Sequence, residues 1–175
     1  LFWRELPRSS TEPPDFQIRG SGIGTPRTIT SDGARLMVGD HNGFETRIGN
    51  FVWNSFPQSA ASNPDFFLTD PEDANSGWMH GSFTSEGKFV ALGGRSVFLY
   101  DEFPQSAEAR PNLGLRGYPF RGGDGGMALI AGGRLYVLEY NGNKILAFRG
   151  MPSDPNQRPE FAIGSPSVDA NTLLT

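Results

Sequence analysis

Apolar residues occur along this chain in short runs, and glycine, proline or small polar residues separate one run from the next. Runs of this length with alternating apolar and polar positions are typical of β-strands. The 175 residues include 23 glycines and 14 prolines, a density of backbone breaks that favours strands and turns over long helices. No stretch of about ten residues combines a helical period with capping residues. The pattern predicts an all-β protein.

Three segments have the pattern of a β-hairpin, with a strand, a tight turn and a second strand. Each turn contains a dipeptide that supplies the positive φ required by primed hairpin turns. The segments are residues 28–40, 83–92 and 127–139, with Asp32-Gly33, Glu86-Gly87 and Gly132-Gly133 at their turns. A further turn, clearest at residues 140–143, leads into a third strand.

One longer motif occurs four times with the same internal spacing. It has an aromatic residue, a proline four positions later, a second proline at position eleven and an apolar residue at position thirteen. The copies are residues 2–18, 52–68, 99–115 and 147–163. Their aromatic residues are Trp3, Trp53, Tyr100 and Phe148, at intervals of 50, 47 and 48 residues. The chain is therefore an internal repeat.

A repeat of about 48 residues lies in the range of β-propeller blades, each a four-stranded antiparallel sheet. Helical HEAT-type repeats have a similar length, but helix interiors would not accommodate this much proline and glycine. We predict a partial β-propeller of about three and a half blades. The expected units are the outer strands of an incomplete blade (1–20), three blades (21–70, 71–117 and 118–165) and a linker or tail (166–175).

Within each blade, the hairpin is expected to supply the two inner strands and the motif the two outer strands. The first proline should end the third strand, and the second should precede the outer strand, where its missing N–H can face solvent. The motif aromatic residue and the apolar residue at position thirteen are expected to pack between adjacent blades.

These residues resemble the NHL repeat. The resemblance lies in residues 25–40, which include Asp40, and in residues 133–148, where Glu139, Asn143 and Lys144 follow the family's order of acidic, amide and basic residues. The proline-spaced extension is similar to that of bacterial NHL-like propellers. The resemblance implies a propeller fold, and because such bacterial proteins often lie outside the cytoplasm, it favours a periplasmic or secreted location.

Two repeats depart from the family pattern. In the middle repeat Gly93 replaces the acidic residue, and the first repeat carries an insertion at residues 42–50 in place of a tight turn. Because loops that differ between repeats often carry function, a partner is expected to bind the insertion, through Phe44, Glu45 and Arg47.

Propellers close with about four to eight blades, and this sequence holds fewer. An open array exposes unpaired strand edges and an apolar blade face, which promote aggregation. Three interpretations follow: a piece of a longer polypeptide, a subunit that a second copy or companion chain completes, or a stable open array. The first is favoured.

The formal net charge of −4 and the lack of a basic run argue against a nucleic-acid partner. No apolar run approaches the roughly 18 residues of a membrane span. The sequence has no cysteine, which excludes disulfides and thiolate metal sites. The glycine-rich stretches at residues 20–24 and 122–126 lack the fingerprint of a nucleotide-binding loop, and no cofactor is predicted.

Asp40, His41 and His80 are the further candidate binding residues, because all three could lie near one mouth of a propeller. A metal site would need three or four such ligands to converge. The simpler interpretation makes Asp40 a turn residue that accepts backbone N–H bonds and the histidines ordinary loop residues. Asp32 and Glu139 could form a carboxylate pair, but turn and family positions explain them more simply.

Three functions remain open. A non-enzymatic binding or scaffold propeller is favoured, because the repeat accounts for the sequence and leaves no catalytic constellation. The alternative is a metal-dependent hydrolase or lyase, similar to propeller lactonases and amidating lyases, with calcium or zinc bound by Asp40, His41 or His80. The third is a structural subunit of a larger complex.

Overall fold

The computed structural model of the chain describes residues 1–20, 22–43, 47–70, 72, 78–84, 86–93, 95–117, 119–120, 127–139 and 141–170. These residues contain twelve β-strands and no helix. In this part of the chain, accordingly, no helix is long and apolar enough to span a membrane. The prediction of an all-β protein is confirmed.

The strands form three four-stranded antiparallel sheets, each built from consecutive strands in chain order. Sheet 1 contains β1 (Pro26–Ser31), β2 (Leu36–Gly43), β3 (Arg47–Trp53) and β4 (Phe66–Leu68). Sheet 2 contains β5 (Trp78–Phe83), β6 (Phe89–Gly93), β7 (Ser96–Tyr100) and β8 (Leu113–Arg116). Sheet 3 contains β9 (Met127–Ala131), β10 (Arg134–Glu139), β11 (Lys144–Phe148) and β12 (Phe161–Ile163). Each sheet is a propeller blade, and the described sheets do not close into a ring.

The outer half of a fourth blade precedes sheet 1. An antiparallel bridge joins Phe2 to Phe16, and the corresponding residues of sheet 1, Val52 and Phe66, pair in the same way between β3 and β4. Residues 2–16 therefore have the geometry of two outer strands without inner strands among the described residues. The chain forms a partial propeller of three and a half blades.

The inner hairpin of sheet 3 closes with the predicted two-residue turn. Gly132 and Gly133 separate the paired residues Ala131 and Arg134, and both glycines have positive φ, at 56° and 70°. This backbone geometry matches the right-handed twist of the two strands that the turn joins.

The inner hairpins of sheets 1 and 2 close with longer loops, contrary to the tight turns predicted for them. In sheet 1 the Asp32 carboxylate accepts the N–H groups of Ala34 at 3.1 Å and Arg35 at 2.8 Å and pairs with the Arg35 guanidinium. These local bonds stabilise a wider turn, as aspartate often does. In sheet 2 the first paired residues beyond the loop are Phe83 and Phe89.

The third strand of each blade ends at the motif aromatic residue, earlier than predicted. Strands β3, β7 and β11 end at Trp53, Tyr100 and Phe148, four positions before the first proline. The second proline does precede the outer strand, as predicted; Pro64, for example, comes two positions before the start of β4.

A side chain directly after the second proline explains this early ending in three copies of the motif. It accepts the main-chain N–H of the residue that follows the aromatic, and this bond takes the chain out of the strand. The acceptor and donor pairs are Asp15 and Arg4 (2.8 Å), Asp65 and Asn54 (2.7 Å), and Asn112 and Asp101 (2.9 Å).

The hydrophobic core lies between the sheets. Trp53, Tyr100 and Phe148 are buried in three separate clusters, each shared with the preceding sheet or, for Trp53, with the N-terminal half blade. The apolar residue at position thirteen packs against the same clusters, as Phe66 and Leu113 do. The predicted packing of the motif between blades is confirmed at these positions.

Asn50 is a polar exception in this packing. It is completely buried on β3, three positions before Trp53, where the other sheets have Val97 and Ile145. Neither its side-chain nitrogen nor its oxygen forms a hydrogen bond within the described part of the chain. A buried amide without a partner destabilises a fold by about 1–3 kcal/mol.

We predict that Asn50→Val raises the free energy of unfolding by about 1–2 kcal/mol, because valine fills the site without a desolvated amide. Urea unfolding followed by circular dichroism measures the change. The reverse exchange in sheet 2, Val97→Asn, is the matched control and should destabilise the protein. A loss of stability in Asn50→Val would show that the amide has a partner outside the described residues.

Candidate functional site

Asp40 lies within β2, three residues before its end at the point where the register of the β2–β3 pair shifts, and is completely buried. Its carboxylate accepts the main-chain N–H groups of Gly24 at 3.0 Å, Thr25 at 2.9 Å and Asn42 at 2.7 Å. The bonds join the segment that enters β1 to the end of β2. Asp40 therefore stabilises the backbone at this end of sheet 1, as the simpler interpretation of the sequence predicts.

Glu139 occupies the same position in sheet 3, at the end of β10, and is also buried. It pairs across the strands with Lys144, whose ammonium group donates to the carbonyl oxygens of Val168 at 2.6 Å and Ala170 at 2.7 Å. A Cβ on Gly142 would lie 2.5 Å from a Glu139 carboxylate oxygen, so a larger residue in this turn would require the Glu139 side chain to shift. The basic residue of the repeat thus joins the start of β11 to the segment that follows the blade.

The two histidines do not join Asp40. His41 is half-buried, and its main-chain N–H donates to the Thr25 carbonyl at 3.0 Å. His80 is buried on β5, where its Nε2 lies 3.3 Å from the Ser82 hydroxyl. Ser82 in turn donates to the Ala128 carbonyl of sheet 3.

Strand alternation separates these residues further. Asp40 lies on the face of sheet 1 that also bears Leu36 and Val38, which is directed at the N-terminal half blade. His80 shares a face of sheet 2 with Ser82 and is directed at sheet 3. The described residues contain no group of three or more His, Cys, Asp or Glu side chains that could hold a metal ion. The hydrolase or lyase alternative gains no support from this arrangement.

The predicted insertion at residues 42–50 is largely strand. Gly43 of β2 pairs with Arg47 of β3 after a shift in register that follows Asp40. The sheet 1 hairpin therefore extends beyond the end of the blade. Phe44 and Glu45 lie outside the described residues, and for Arg47 the structure describes the strand position alone.

An ion pair between sheets 1 and 2 was not predicted from the sequence. Arg116 donates to both carboxylate oxygens of the buried Asp70, at 2.9 and 3.0 Å, and its guanidinium lies 4.6 Å from the centre of the Phe98 ring. This bidentate geometry joins β8 to the segment that follows β4. Neither residue belongs to the repeated motif, so no periodic signal in the sequence marks the pair.

No protein-family model matches the sequence, and no curated protein is similar to it at a significant level. The resemblance to NHL repeats accordingly rests on the motif residues and stays a prediction.

We predict that Asp40→Ala lowers the free energy of unfolding by about 3 kcal/mol, because it leaves three main-chain N–H groups without their acceptor. Asp40→Asn keeps one acceptor oxygen and should cost less. Thermal unfolding with and without calcium or zinc distinguishes this role from metal binding. The melting temperature of the parent chain should not depend on either ion; a metal-dependent rise that Asp40→Ala abolishes would contradict the structural role.

We predict that His80 makes the protein less stable in mild acid. Burial lowers the pKa of His80 below its usual value, so the folded chain resists a proton that the unfolded chain accepts. The stability is complete above the unfolded pKa of about 6.5 and decreases as the pH falls below it. Urea midpoints at about pH 7 and about pH 5.5 measure the loss. His80→Gln, which can still bond Ser82, should reduce the difference; an identical difference in both proteins would contradict the prediction.

Proposed function

We propose that this chain is an arc of a scaffold β-propeller, similar to bacterial NHL-like propellers, which further blades complete and which binds a protein partner through its loops rather than catalysing a reaction. The observation that carries the proposal is the unequal burial of equivalent residues along the arc. Residues with a blade beside them are buried, and the same residues at the ends of the arc are exposed.

The residue before the first proline is buried where its blade has inner strands and a complete blade precedes it. Phe103 of sheet 2 is 2% exposed; it packs on Phe83 and Phe89 of its own sheet and lies in one cluster with residues of sheet 1. Leu6, at the same position in the N-terminal half blade, is 91% exposed. Phe56 follows that half blade and is partly covered by an edge-on contact with Phe2.

The last residue of the motif, on the outer strand, is buried where another sheet follows. Leu68 and Leu115 are completely buried under the next sheet, whereas Ile163 of sheet 3 is 49% exposed. Ile163 belongs to an apolar surface on the outer side of sheet 3, which we name the terminal face. The terminal face comprises Leu129, Tyr136, Leu138, Ile145, Phe161 and Ile163.

An arginine beside the terminal face has a counterpart that already contacts a next blade. The guanidinium of Arg35, directly before β2, lies 4.2 Å from the centre of the Phe103 ring in sheet 2. Arg134 has the same position at the start of β10, and its guanidinium lies over Phe161 and pairs with Glu160. Arg134 is therefore available to an aromatic residue of a following blade.

These features support completion of the ring by further blades, either of a longer polypeptide or of a second chain. A terminal face left in water would retain the exposed apolar area that the other two sheets bury, and such patches promote association. The extended β2–β3 hairpin is the partner surface in this proposal, and Phe44, Glu45 and Arg47 belong to the sequence that joins or begins its strands. Its length distinguishes sheet 1 from the otherwise equivalent sheets, and irregular loops on regular scaffolds often carry recognition.

We predict that the chain associates in solution through the terminal face. Sedimentation velocity should give a mass above 19.1 kDa that rises with concentration. The double substitution Leu129→Lys and Ile163→Lys should return the mass toward 19.1 kDa, because both side chains are exposed and the charges oppose apolar packing.

The matched control replaces Phe44 by serine and Glu45 by glutamine, between β2 and β3 in the sequence. This variant should keep the association of the parent chain, since the terminal face is formed by residues of sheet 3. A parent chain that stays monomeric at all concentrations would contradict association of this chain through the terminal face.

A further inference from the structure

Building on the proposed completion of the ring, we propose that a groove beside the N-terminal half blade binds a β-hairpin of this same repeat. The hairpin would supply the two inner strands of that blade. We name the site the N-terminal groove; its volume is about 340 Å³, and its apolar lining includes Leu1, Phe2, Ile18, Ile23, Ile29 and Val38.

The half blade covers only the outer strands of the sheet 1 face that lines this groove. The outer part of this face is buried, since Phe51 and Trp53 pack in a cluster with Phe2 and Ile18 of the half blade. Its inner part is open, and Ile29 on β1 is 66% exposed. The missing cover therefore corresponds to the inner strands of the half blade.

Sheet 3 shows what normally covers the position of Ile29. The equivalent residue on β9 is Ala128, since Ile29 pairs with Val38 and Ala128 pairs with Val137 in the corresponding register. Ala128 is buried, and its carbonyl accepts a hydrogen bond from Ser82 on β5, the innermost strand of the preceding blade. An innermost strand is thus the element that would cover Ile29.

The main-chain hydrogen bonds of the half blade indicate that a second strand, beside the one that would cover Ile29, is needed. The N–H of Phe2 donates to the Phe16 carbonyl at 2.9 Å, and the Phe2 carbonyl accepts from the Asp15 N–H at 2.9 Å. The main-chain N–H and carbonyl of Phe2 are therefore both bonded to the outer strand of the half blade. In a complete blade, the residues before and after the counterpart of Phe2 pair with the next strand toward the propeller axis. Phe51 and Trp53, the counterparts of Leu1 and Trp3, pair with Val38 and Leu36 of β2.

The half blade thus lacks two things: a strand that covers Ile29 and a strand that pairs with Trp3. A single strand would supply only one of them. The strand that pairs with Trp3 corresponds to β2, and the strand that covers Ile29 corresponds to β1. The two innermost strands are antiparallel neighbours and consecutive in the chain in all three described sheets. A hairpin that adds to the exposed edge and places apolar side chains on sheet 1 meets both requirements.

The chain itself contains a suitable probe. The hairpin β9–β10 bears Leu129, Tyr136 and Leu138, which lie on the terminal face and contact no following blade in the described structure. In sheet 3, Leu135 of this hairpin pairs with Phe148, the counterpart of Trp3. Added in the same register to the half blade, the hairpin would direct its apolar face at Ile29 and Val38.

The test extends the full chain at its N-terminus with a second copy of residues 127–145, so that the added Ile145 directly precedes Leu1. This junction reproduces the spacing from β10 through its turn to the motif aromatic. Hydrogen exchange followed by mass spectrometry reports on the main chain around Trp3, and thermal unfolding reports on stability. We expect exchange around Trp3 to slow at least tenfold and the melting temperature to rise.

The control extension carries lysine at the two added positions that correspond to Leu129 and Leu138. It preserves the length, the turn and the partner strand but cannot pack in the apolar groove, so exchange should stay as in the parent chain. Unchanged exchange with the unmodified extension would overturn the proposal, and equal protection with both extensions would overturn the role of the apolar groove. Neither result depends on association through the terminal face, which lies on sheet 3 and is tested by Leu129→Lys and Ile163→Lys in the parent chain.

Discussion

The packing of each motif aromatic residue against the preceding blade is the interaction on which this structure depends. Each sheet is only four strands wide, and the middle sheet buries apolar side chains on both faces by contact with its two neighbours. Tyr100 is buried with Met37 and Val52 of sheet 1, and Phe148 with Val90 and Leu99 of sheet 2. Stability is consequently a property of adjacent pairs of blades, as in other repeat proteins. A blade at the end of the array lacks half of its packing.

Comparison of equivalent positions in the three blades distinguishes structural residues in the candidate site from those that could recognise a partner. Asp40 and Glu139 occupy equivalent positions on β2 and β10, yet Gly93 occupies that position in sheet 2 without a carboxylate. The three blades therefore share the position and not its chemistry, and the Asp40 carboxylate binds main-chain N–H groups of its own sheet. Residues that differ between blades and extend beyond the strands, above all those of the β2–β3 hairpin, are better placed to recognise a partner.

Periodicity determined how much could be predicted from the sequence. The three hairpins, the outer strands and the packing of Trp53, Tyr100 and Phe148 recur at a fixed spacing, and each follows from the repeat. The wider Asp32 turn and the early strand endings depend on individual side-chain bonds, such as that from Asp65 to Asn54, which a pattern of apolar positions does not reveal. The Arg116–Asp70 pair and the orientation of His80 toward sheet 3 depend on non-repeated residues and on strand register. In the candidate site, therefore, the role of Asp40 was predictable and its separation from His80 was not.

The terminal face and the N-terminal groove, at the two ends of the arc, are different kinds of surface, and this constrains any chain that would complete the ring. At the terminal face no further sheet follows among the described residues, whereas at the N-terminal groove two outer strands are present without inner strands there. In the proposed ring, a second copy joined end to end would set its half blade against the terminal face and would leave its own groove without inner strands. Completion by another chain would therefore join unlike surfaces, a heterologous arrangement in which one partner contributes strands to a blade of the other. The apolar faces promote association in general, and the exposed edge beside Trp3 determines which element fits.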